Sequence, residues 1–164
     1  MKKAIFLDRD GVINKEIGDY VFRVEDFQFN SGIFRALRLL QEYGYIFIIV
    51  TNQGGIAKGR YSFEDVENVH NYMLDRLSEE GISVSEVYYC PHHNTISPCL
   101  CRKPNSMMIE KAIAKYNIDV SQSFLIGDND RDIEAGEKVG VKGILIEANS
   151  NIISKVKMDI LNVV

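Results

Sequence analysis

The chain has 164 residues, of which 46% are hydrophobic and 26% charged, and its formal net charge is -4. This length predicts a single domain, residues 1–164, and the acidic balance without a basic block argues against nucleic acid or an anionic membrane as a partner. No apolar run approaches the roughly 20 residues of a membrane span, and the apolar run after Lys3 is too short for a signal peptide. We therefore expect a cytoplasmic protein, and we take a monomer as the default oligomeric state.

An apolar strand at Ala4–Leu7 is the first predicted element, and it runs directly into the string Asp8-Arg9-Asp10-Gly11. Such a run is typical of a strand buried on both faces. Two carboxylates just past it are costly without a counter-charge, and Mg2+ would supply one, since it prefers carboxylate and phosphate oxygens. Gly11 allows a sharp turn. The alternative is a strand that ends in a solvated acidic turn.

The next segment, residues 15–30, is mixed and aromatic, which is typical of a flap or irregular hairpin over the end of the first strand. We interpret Ser31 as the N-cap of a helix that Gly44 ends. Residues 45–50 form a second apolar strand, which ends in the string Thr51-Asn52-Gln53-Gly54-Gly55.

A second helix is predicted from Ser62 to Gly81, with Asp65 in the position of a capping box. Strands and helices then continue to alternate: a strand at 84–89, a cysteine-containing loop at 90–103, a helix at 106–116, a strand at 123–126, a helix at 131–139 and a strand at 143–147. The tail, 152–164, is apolar enough to pack against the rest, although its pattern does not identify an element.

This alternation predicts an α/β fold, a Rossmann-like three-layer sandwich with a mostly parallel central sheet. Ligands of such sheets bind beyond the carboxyl ends of the strands. The polar side chains that follow the strands would all lie on that rim: Asp8, Asp10, Thr51, Asn52, Cys90 and Asp128.

The rim could hold Mg2+ between Asp8, Asp128 and a backbone carbonyl near Asp10. A phosphate bound there would meet the metal, the Thr51 hydroxyl and the amides of the turns at Gly11 and Gly54. Lys103 would add positive charge as the phosphoryl group transfers.

Asp8 lies nearer the strand end and is the candidate nucleophile, forming an aspartyl-phosphate, and Asp10 is the candidate general acid and base. In the alternative interpretation, Thr51 only ends a strand and Lys103 is a solvated loop lysine. Asp132 follows Asp128 by one helical turn, and we expect it to cap its helix or hold Lys103 in place.

The three cysteines lie close together in one loop, which favours metal ligands over a disulfide framework. Four side chains suit a tetrahedral, structural Zn2+ that would fix Arg102 and Lys103 at the rim: Cys90, His92, Cys99 and Cys101. Cysteines used as small apolar residues are the alternative, which the polar and proline flanks disfavour. His93 is interpreted as a bystander, and His70 has no evident partner.

With these residues, the chain resembles the haloacid dehalogenase superfamily of phosphotransferases over nearly its full length. Asp8-x-Asp10-Gly11 matches the first motif of that superfamily, Thr51 the second and Lys103 the third. The fourth motif is matched by Gly127-Asp128-x-x-x-Asp132.

Within that superfamily, three strings resemble the heptose-bisphosphate phosphatase family: residues 8–14, 51–59 and 90–104. The resemblance implies hydrolysis of the 7-phosphate of a heptose 1,7-bisphosphate, in the biosynthesis of nucleotide-activated heptose. It implies that Arg102 recognises the second phosphate or the sugar and that Lys103 steadies the transferring phosphoryl group. The other implied substrate-site residues are Glu16, Gly18, Asp19, Asn52, Gln53, Gly54 and Asn129.

The related histidinol-phosphatase family is the alternative, and a non-catalytic binding protein on the same fold is another. Asn129 stands where the heptose family often has a lysine, and the loop from His92 to Cys99 is short, nearer the histidinol type. The segment between Asp8 and Thr51 has no room for a large cap domain. The resemblance therefore implies a capless enzyme whose zinc loop and flap set specificity.

Overall fold

Five parallel strands form one sheet in the computed structural model, which describes residues 1–164. The strands are β1 (Ala4–Leu7), β2 (Ile46–Asn52), β3 (Val84–Cys90), β4 (Phe124–Gly127) and β5 (Lys142–Leu145). Their order across the sheet is β3-β2-β1-β4-β5, and every neighbouring pair is parallel. The predicted α/β architecture is confirmed.

Helices cover both faces of the sheet: α1 (Ile33–Glu42), α2 (Phe63–Glu79), α3 (Met107–Tyr116) and α4 (Asp130–Glu137). Alternate residues of β1 contribute to the two cores, Ile5 and Leu7 to one and Ala4 and Phe6 to the other. The first core also holds the apolar faces of α1 and α2, and the second those of α3 and α4. Burial on both faces explains why β1 is apolar throughout.

The start of α1 differs from the prediction. Its N-cap is Gly32, at φ +79°, and no side chain caps the helix, so Ser31 is not the cap. The left-handed conformation favours glycine, and a Cβ at Gly32 would lie 2.3 Å from Asn151 Oδ1. The predicted capping box of α2 is confirmed, since Ser62 and Asp65 bond each other's backbone N–H groups.

The C-terminal tail, which the sequence pattern left without an assigned element, forms a short helical turn, α5 (Ile153–Lys155), and a wider turn at Val156–Ile160. Both lie over the core shared with α1 and α2, because Ile152, Val156 and Ile160 are buried there. None of the helices in the chain combines the length and the apolar character needed to cross a bilayer.

The segment after β1 is held against the body of the protein. Asn14 forms an isolated antiparallel bridge with Phe29, and Asn30 Nδ2 donates hydrogen bonds to the carbonyls of Val12 and Asn14, at 3.0 and 3.3 Å. Strand register brings Leu7 beside both Ile49 and Ile126. The residues that follow these strands therefore meet at one rim.

Candidate active site

The turn after β1 brings two acidic residues from different strands together. Asp8 follows β1 and Asp128 follows β4, its neighbour in the sheet. Gly11, at φ +89°, lies so close to Asp128 that a Cβ there would be 2.2 Å from the Oδ2 atom of Asp128. Both the conformation and the close approach therefore require glycine.

Lys103 is a buried ammonium paired with two carboxylates. Its Nζ lies 2.9 Å from Asp8 Oδ1 and 2.7 Å from Asp132 Oδ1, and it donates to the carbonyl of Val50 at 2.8 Å. The lysine is 2% exposed. The Oδ2 atom of Asp132 also accepts the Asn129 N–H, so Asp132 caps α4 and contacts Lys103 as well.

Three carboxylates lie close together beside this single ammonium. Ligand oxygens of Asp8, Asp128 and Asp132 lie within 4.8 Å of one another. Burial raises the pKa of Asp8 to about 7 against the effect of Lys103, and burial and Asp132 raise the pKa of Asp128. Burial lowers the pKa of Lys103, but the charges of Asp8 and Asp132 raise it by more, so the pKa of the lysine lies above its ordinary value.

This excess of negative charge suits a hard divalent cation. Asp8 and Asp128 are the carboxylates that could hold it, since Lys103 and the amide of Asn129 engage both oxygens of Asp132, whereas Lys103 contacts only the Oδ1 atom of Asp8. Asp8 and Asp128 therefore suit the magnesium site that the sequence predicts, in which a backbone carbonyl near Asp10 is the third ligand.

The Asp10 carboxylate is bound by a different set of donors. Its Oδ1 accepts hydrogen bonds from Arg9 Nη2 at 2.9 Å and Asn14 Nδ2 at 3.0 Å, and its Oδ2 accepts one from Gln53 Nε2 at 3.1 Å. Burial raises the pKa of Asp10, but Arg9 and these hydrogen bonds lower it by more. The pKa of Asp10 therefore lies below its ordinary value. This carboxylate is not in the acidic cluster, which leaves a backbone carbonyl as the group of this turn that could bind a cation.

Gln53 is buried and links residues around the site. Its Nε2 donates to Thr51 Oγ1 at 3.0 Å as well as to Asp10, and its Oε1 accepts the hydroxyl of Tyr61 at 2.7 Å. The side chain of Gln53, which the resemblance implies as a substrate-site residue, therefore contacts both Thr51 and Asp10. The Gly11 amide donates to the Asn14 carbonyl at 2.7 Å, within the turn that follows β1.

Two further residues of this network were missed by the sequence analysis as site residues. The Arg9 side chain is fully buried, and its Nη1 donates to His70 Nε2 at 3.2 Å. Burial and the charge of Arg9 lower the pKa of His70 to about 3, so the imidazole is neutral. The position of Arg9 between two aspartates was a usable signal, whereas nothing local identified His70.

The cysteine loop forms a compact group of ligand atoms. Sulfur–sulfur distances are 3.0 Å from Cys90 to Cys101, 3.7 Å from Cys90 to Cys99 and 3.8 Å from Cys99 to Cys101. His92 Nδ1 lies 3.2 Å from the sulfur of Cys101. These four side chains could hold one metal ion, and the three thiols form no disulfide. The amide of Arg102 donates to Cys99 Sγ at 3.4 Å, which joins the loop to the rim.

Three cavities open at the rim. The central one, about 340 Å³, is lined by Asp8, Asp10, Glu16, Asn52, Lys103, Asp128, Asn129 and Arg131. A neighbouring cavity of about 330 Å³ includes Arg102, Lys103 and Arg131 in its lining, and one of about 310 Å³ includes Gly18 and Asp19. Most of the substrate-site residues predicted from the sequence therefore border connected parts of one rim.

Other candidate residues make specific contacts at this rim. Asn52 accepts the Lys103 N–H at 3.0 Å and donates to the Lys103 carbonyl at 3.1 Å, which fixes the lysine backbone. Asn129 accepts the Arg131 N–H at 3.2 Å as the cap of α4. A Cβ at Gly54 would lie 2.9 Å from Arg102 Nη1, so the arginine packs directly on that backbone. Arg131 lines all three cavities, and the sequence analysis did not select it.

Comparison with known proteins gives concordant matches. A model of the HAD-hydrolase-like family matches residues 100–155. D-glycero-alpha-D-manno-heptose-1,7-bisphosphate 7-phosphatase of Photorhabdus laumondii is 43% identical over 145 residues, 85% of this chain and 79% of the relative. D-glycero-beta-D-manno-heptose-1,7-bisphosphate 7-phosphatase of Haemophilus ducreyi is 43% identical over 147 residues, 86% of this chain and 80% of the relative.

Solved structures agree with these matches. The crystal structure of D,D-heptose 1,7-bisphosphate phosphatase from B. bronchiseptica, complexed with magnesium and phosphate, superposes with a TM-score of 0.84 at 28% identity. The match covers 96% of this chain and 86% of that one. A HAD-like phosphatase from Mesorhizobium loti gives a TM-score of 0.82 at 32% identity over 88% of this chain and 72% of that one.

Proposed function

The chain belongs to the heptose-1,7-bisphosphate 7-phosphatase family of haloacid-dehalogenase-like hydrolases, and on that premise we propose that it hydrolyses the 7-phosphate of D-glycero-D-manno-heptose 1,7-bisphosphate. The supporting observation is the contact of Lys103 with Asp8 at the end of β1, inside a cavity that Asp10 and Asp128 also line. In this proposal the product enters the biosynthesis of nucleotide-activated heptose.

Asp8 is the nucleophile in the proposed mechanism. A carboxylate oxygen of Asp8 attacks the phosphorus, and the bond from phosphorus to the sugar oxygen breaks to leave an aspartyl-phosphate. Water then attacks the phosphorus, which releases inorganic phosphate and restores the Asp8 carboxylate. Lys103 and the hydroxyl of Thr51 stabilise the negative charge on the transferring phosphoryl oxygens.

Asp10 transfers the protons. It protonates the departing sugar oxygen and then takes a proton from the attacking water. The incoming phosphate dianion raises the Asp10 pKa by repulsion, which opposes the lowering by Arg9. Hydrogen bonds from Arg9, Asn14 and Gln53 keep the carboxylate oriented through both steps.

Two metals complete the proposal. Asp8, Asp128 and a backbone carbonyl near Asp10 would hold Mg2+, which supplies positive charge for the phosphoryl oxygens and offsets the acidic cluster. Cys90, His92, Cys99 and Cys101 would hold a structural Zn2+ with no open coordination position. Three cysteines that form no disulfide and suit a metal ion are typical of a reducing compartment, so we propose that the protein acts in the cytoplasm. All proposed site residues come from one chain, so a monomer suffices.

The test is phosphate release in the presence of Mg2+, measured side by side on three substrates: the α and β anomers of heptose 1,7-bisphosphate, and histidinol phosphate. The two anomers are compared because relatives of this chain carry names with either one. We expect a preference of at least about 100-fold in kcat/KM for a bisphosphate anomer, the discrimination that about two charged contacts provide. A preference for histidinol phosphate would overturn the proposed substrate. No release from any of the three would overturn the proposed reaction.

A further inference from the structure

Two arginines at the rim lack an acidic partner. Arg9, Arg23, Arg38, Arg60 and Arg76 each form a salt bridge with a carboxylate. The guanidinium groups of Arg102 and Arg131 form none, and the only hydrogen bond of the Arg102 side chain goes to the His92 carbonyl at 3.2 Å. Unpaired guanidinium groups beside a cavity are suited to binding an anion from solution.

These arginines come from different elements and face a shared space. Arg102 lies in the cysteine loop directly before Lys103, and Arg131 is the second residue of α4. Both line the cavity of about 330 Å³. Two guanidinium charges that line one cavity repel each other. An anion between them would relieve this repulsion.

Arg131 also borders the cavity of the reacting groups. It lines the central cavity together with Asp8, Asp10 and Lys103. A substrate whose reacting phosphate lies at Asp8 would therefore extend past Arg131 into the cavity shared with Arg102. The hydrogen bond from the Arg131 N–H to the Asn129 side chain fixes the backbone from which the Arg131 side chain extends.

We propose that Arg131, acting with Arg102, binds the second phosphate of the substrate and thereby selects a sugar bisphosphate over a monophosphate. This assignment rests on the proposed function, because it takes the reacting phosphate to lie at Asp8. The side chain of Arg131 contacts the substrate phosphate that is not cleaved, so it determines specificity and takes no part in the chemical step.

The test compares heptose 1,7-bisphosphate with heptose 7-phosphate, which lacks the second phosphate. For R131Q we expect kcat/KM on the bisphosphate to fall about 10- to 100-fold, mainly through KM, since a charge-assisted hydrogen bond contributes about 1.5–3 kcal/mol. On heptose 7-phosphate the change should stay within about 2-fold. R131K should retain most of the selectivity because it keeps the charge. R35Q is the matched control, because Arg35 is also exposed and unpaired but lines a different cavity.

Each outcome bears on a different claim. If R131Q loses the same factor on both substrates, or none on the bisphosphate, the role of Arg131 is overturned while the proposed function stands. If the unmodified enzyme does not hydrolyse the bisphosphate, the proposed function fails, and the role of Arg131 fails with it. A selective loss in R131Q with R35Q unchanged supports both.

Discussion

Arg9 and Asp10 form a partly buried ion pair in which two guanidinium nitrogens share one carboxylate oxygen. Nη2 of Arg9 lies 2.9 Å and Nε 3.3 Å from Asp10 Oδ1. The same guanidinium donates to the Val21 carbonyl at 2.7 Å and contacts His70 on α2. Arg9 therefore joins the proposed acid and base to the flap and to a helix of the core.

Replacing Arg9 with methionine should lower both activity and stability. Asp10 would lose its main counter-charge, so its pKa should rise and the acidic limb of the kcat profile should move to higher pH. Asp10 would keep its hydrogen bonds from Asn14 and Gln53, so the loss in the free energy of unfolding should be that of a charge-assisted contact, about 1.5–3 kcal/mol. The measurements are kcat against pH and unfolding in urea.

Arg9→Lys serves as the matched variant, because it keeps the charge and loses the two-nitrogen contact. We expect its pH profile to stay close to that of the parent while kcat falls. A methionine variant with an unshifted profile would contradict the electrostatic role of Arg9.

His70 should make the protein less stable in acid. Burial and Arg9 lower its pKa to about 3 in the folded state, below the value near 6.5 of an unfolded chain. The unfolded state therefore binds more protons between pH 6.5 and 3, so the contribution of His70 is fully present above pH 6.5 and is lost as the pH falls towards 3. In H70Q the free energy of unfolding should fall less steeply over this range, by up to about 1.4 kcal/mol per pH unit.

The glutamine was chosen because its side-chain oxygen can accept the Arg9 hydrogen bond that His70 Nε2 accepts. H70Q should thus resemble the parent at pH 7.5, whereas H70L should be about 1–3 kcal/mol less stable than H70Q at every pH because it leaves Arg9 without that acceptor. Parallel curves for H70Q and the parent would show that the buried imidazole does not titrate as proposed.

Asp8→Asn should abolish turnover while the protein stays folded. An amide cannot form the aspartyl-phosphate, and losses of a nucleophile reach about 10,000-fold or more in kcat. Lys103 would still contact Asp132 and the Val50 carbonyl, so the buried ammonium would not be left unpaired. The measurement is phosphate release together with the unfolding midpoint. Asp75→Asn, at an exposed position of α2, is the control, and phosphate release retained by Asp8→Asn would exclude the covalent mechanism.

Those features of the fold that depend on local pattern could be predicted from the sequence. The apolar run of β1 and the Ser62–Asp65 capping box each lie within a few residues, and both are present. The predicted N-cap of α1 was wrong because the cap is Gly32, whose backbone lies against Asn151, a residue far along the chain. Helix-cap preferences alone do not contain that contact.

In the candidate site, too, some residues could be predicted from the sequence and others depend on contacts between distant parts of the chain. The rim could be anticipated because parallel strands end on one side, and this argument placed Asp8 and Asp128 together although they follow different strands. The pairing of Arg9 with His70 spans 61 residues, and no rule of topology selects a histidine inside a helix. Arg131 was missed because a charged residue in an exposed first helical turn resembles any other surface residue.

Removing the metal from the cysteine loop should affect both stability and substrate binding. The three sulfurs and the His92 nitrogen lie close enough together to bind one ion, so we expect one zinc per chain by mass spectrometry under native conditions. Cys101→Ser should lose that zinc, lower the unfolding midpoint and raise KM for the bisphosphate, because the Arg102 amide bonds Cys99 and the loop leads directly to Lys103.

His93→Ala is the matched control, since this neighbouring histidine is outside the cluster and should leave the zinc content unchanged. A Cys101→Ser protein that keeps its zinc, or that loses zinc with the same midpoint and KM, would contradict the structural role of this loop.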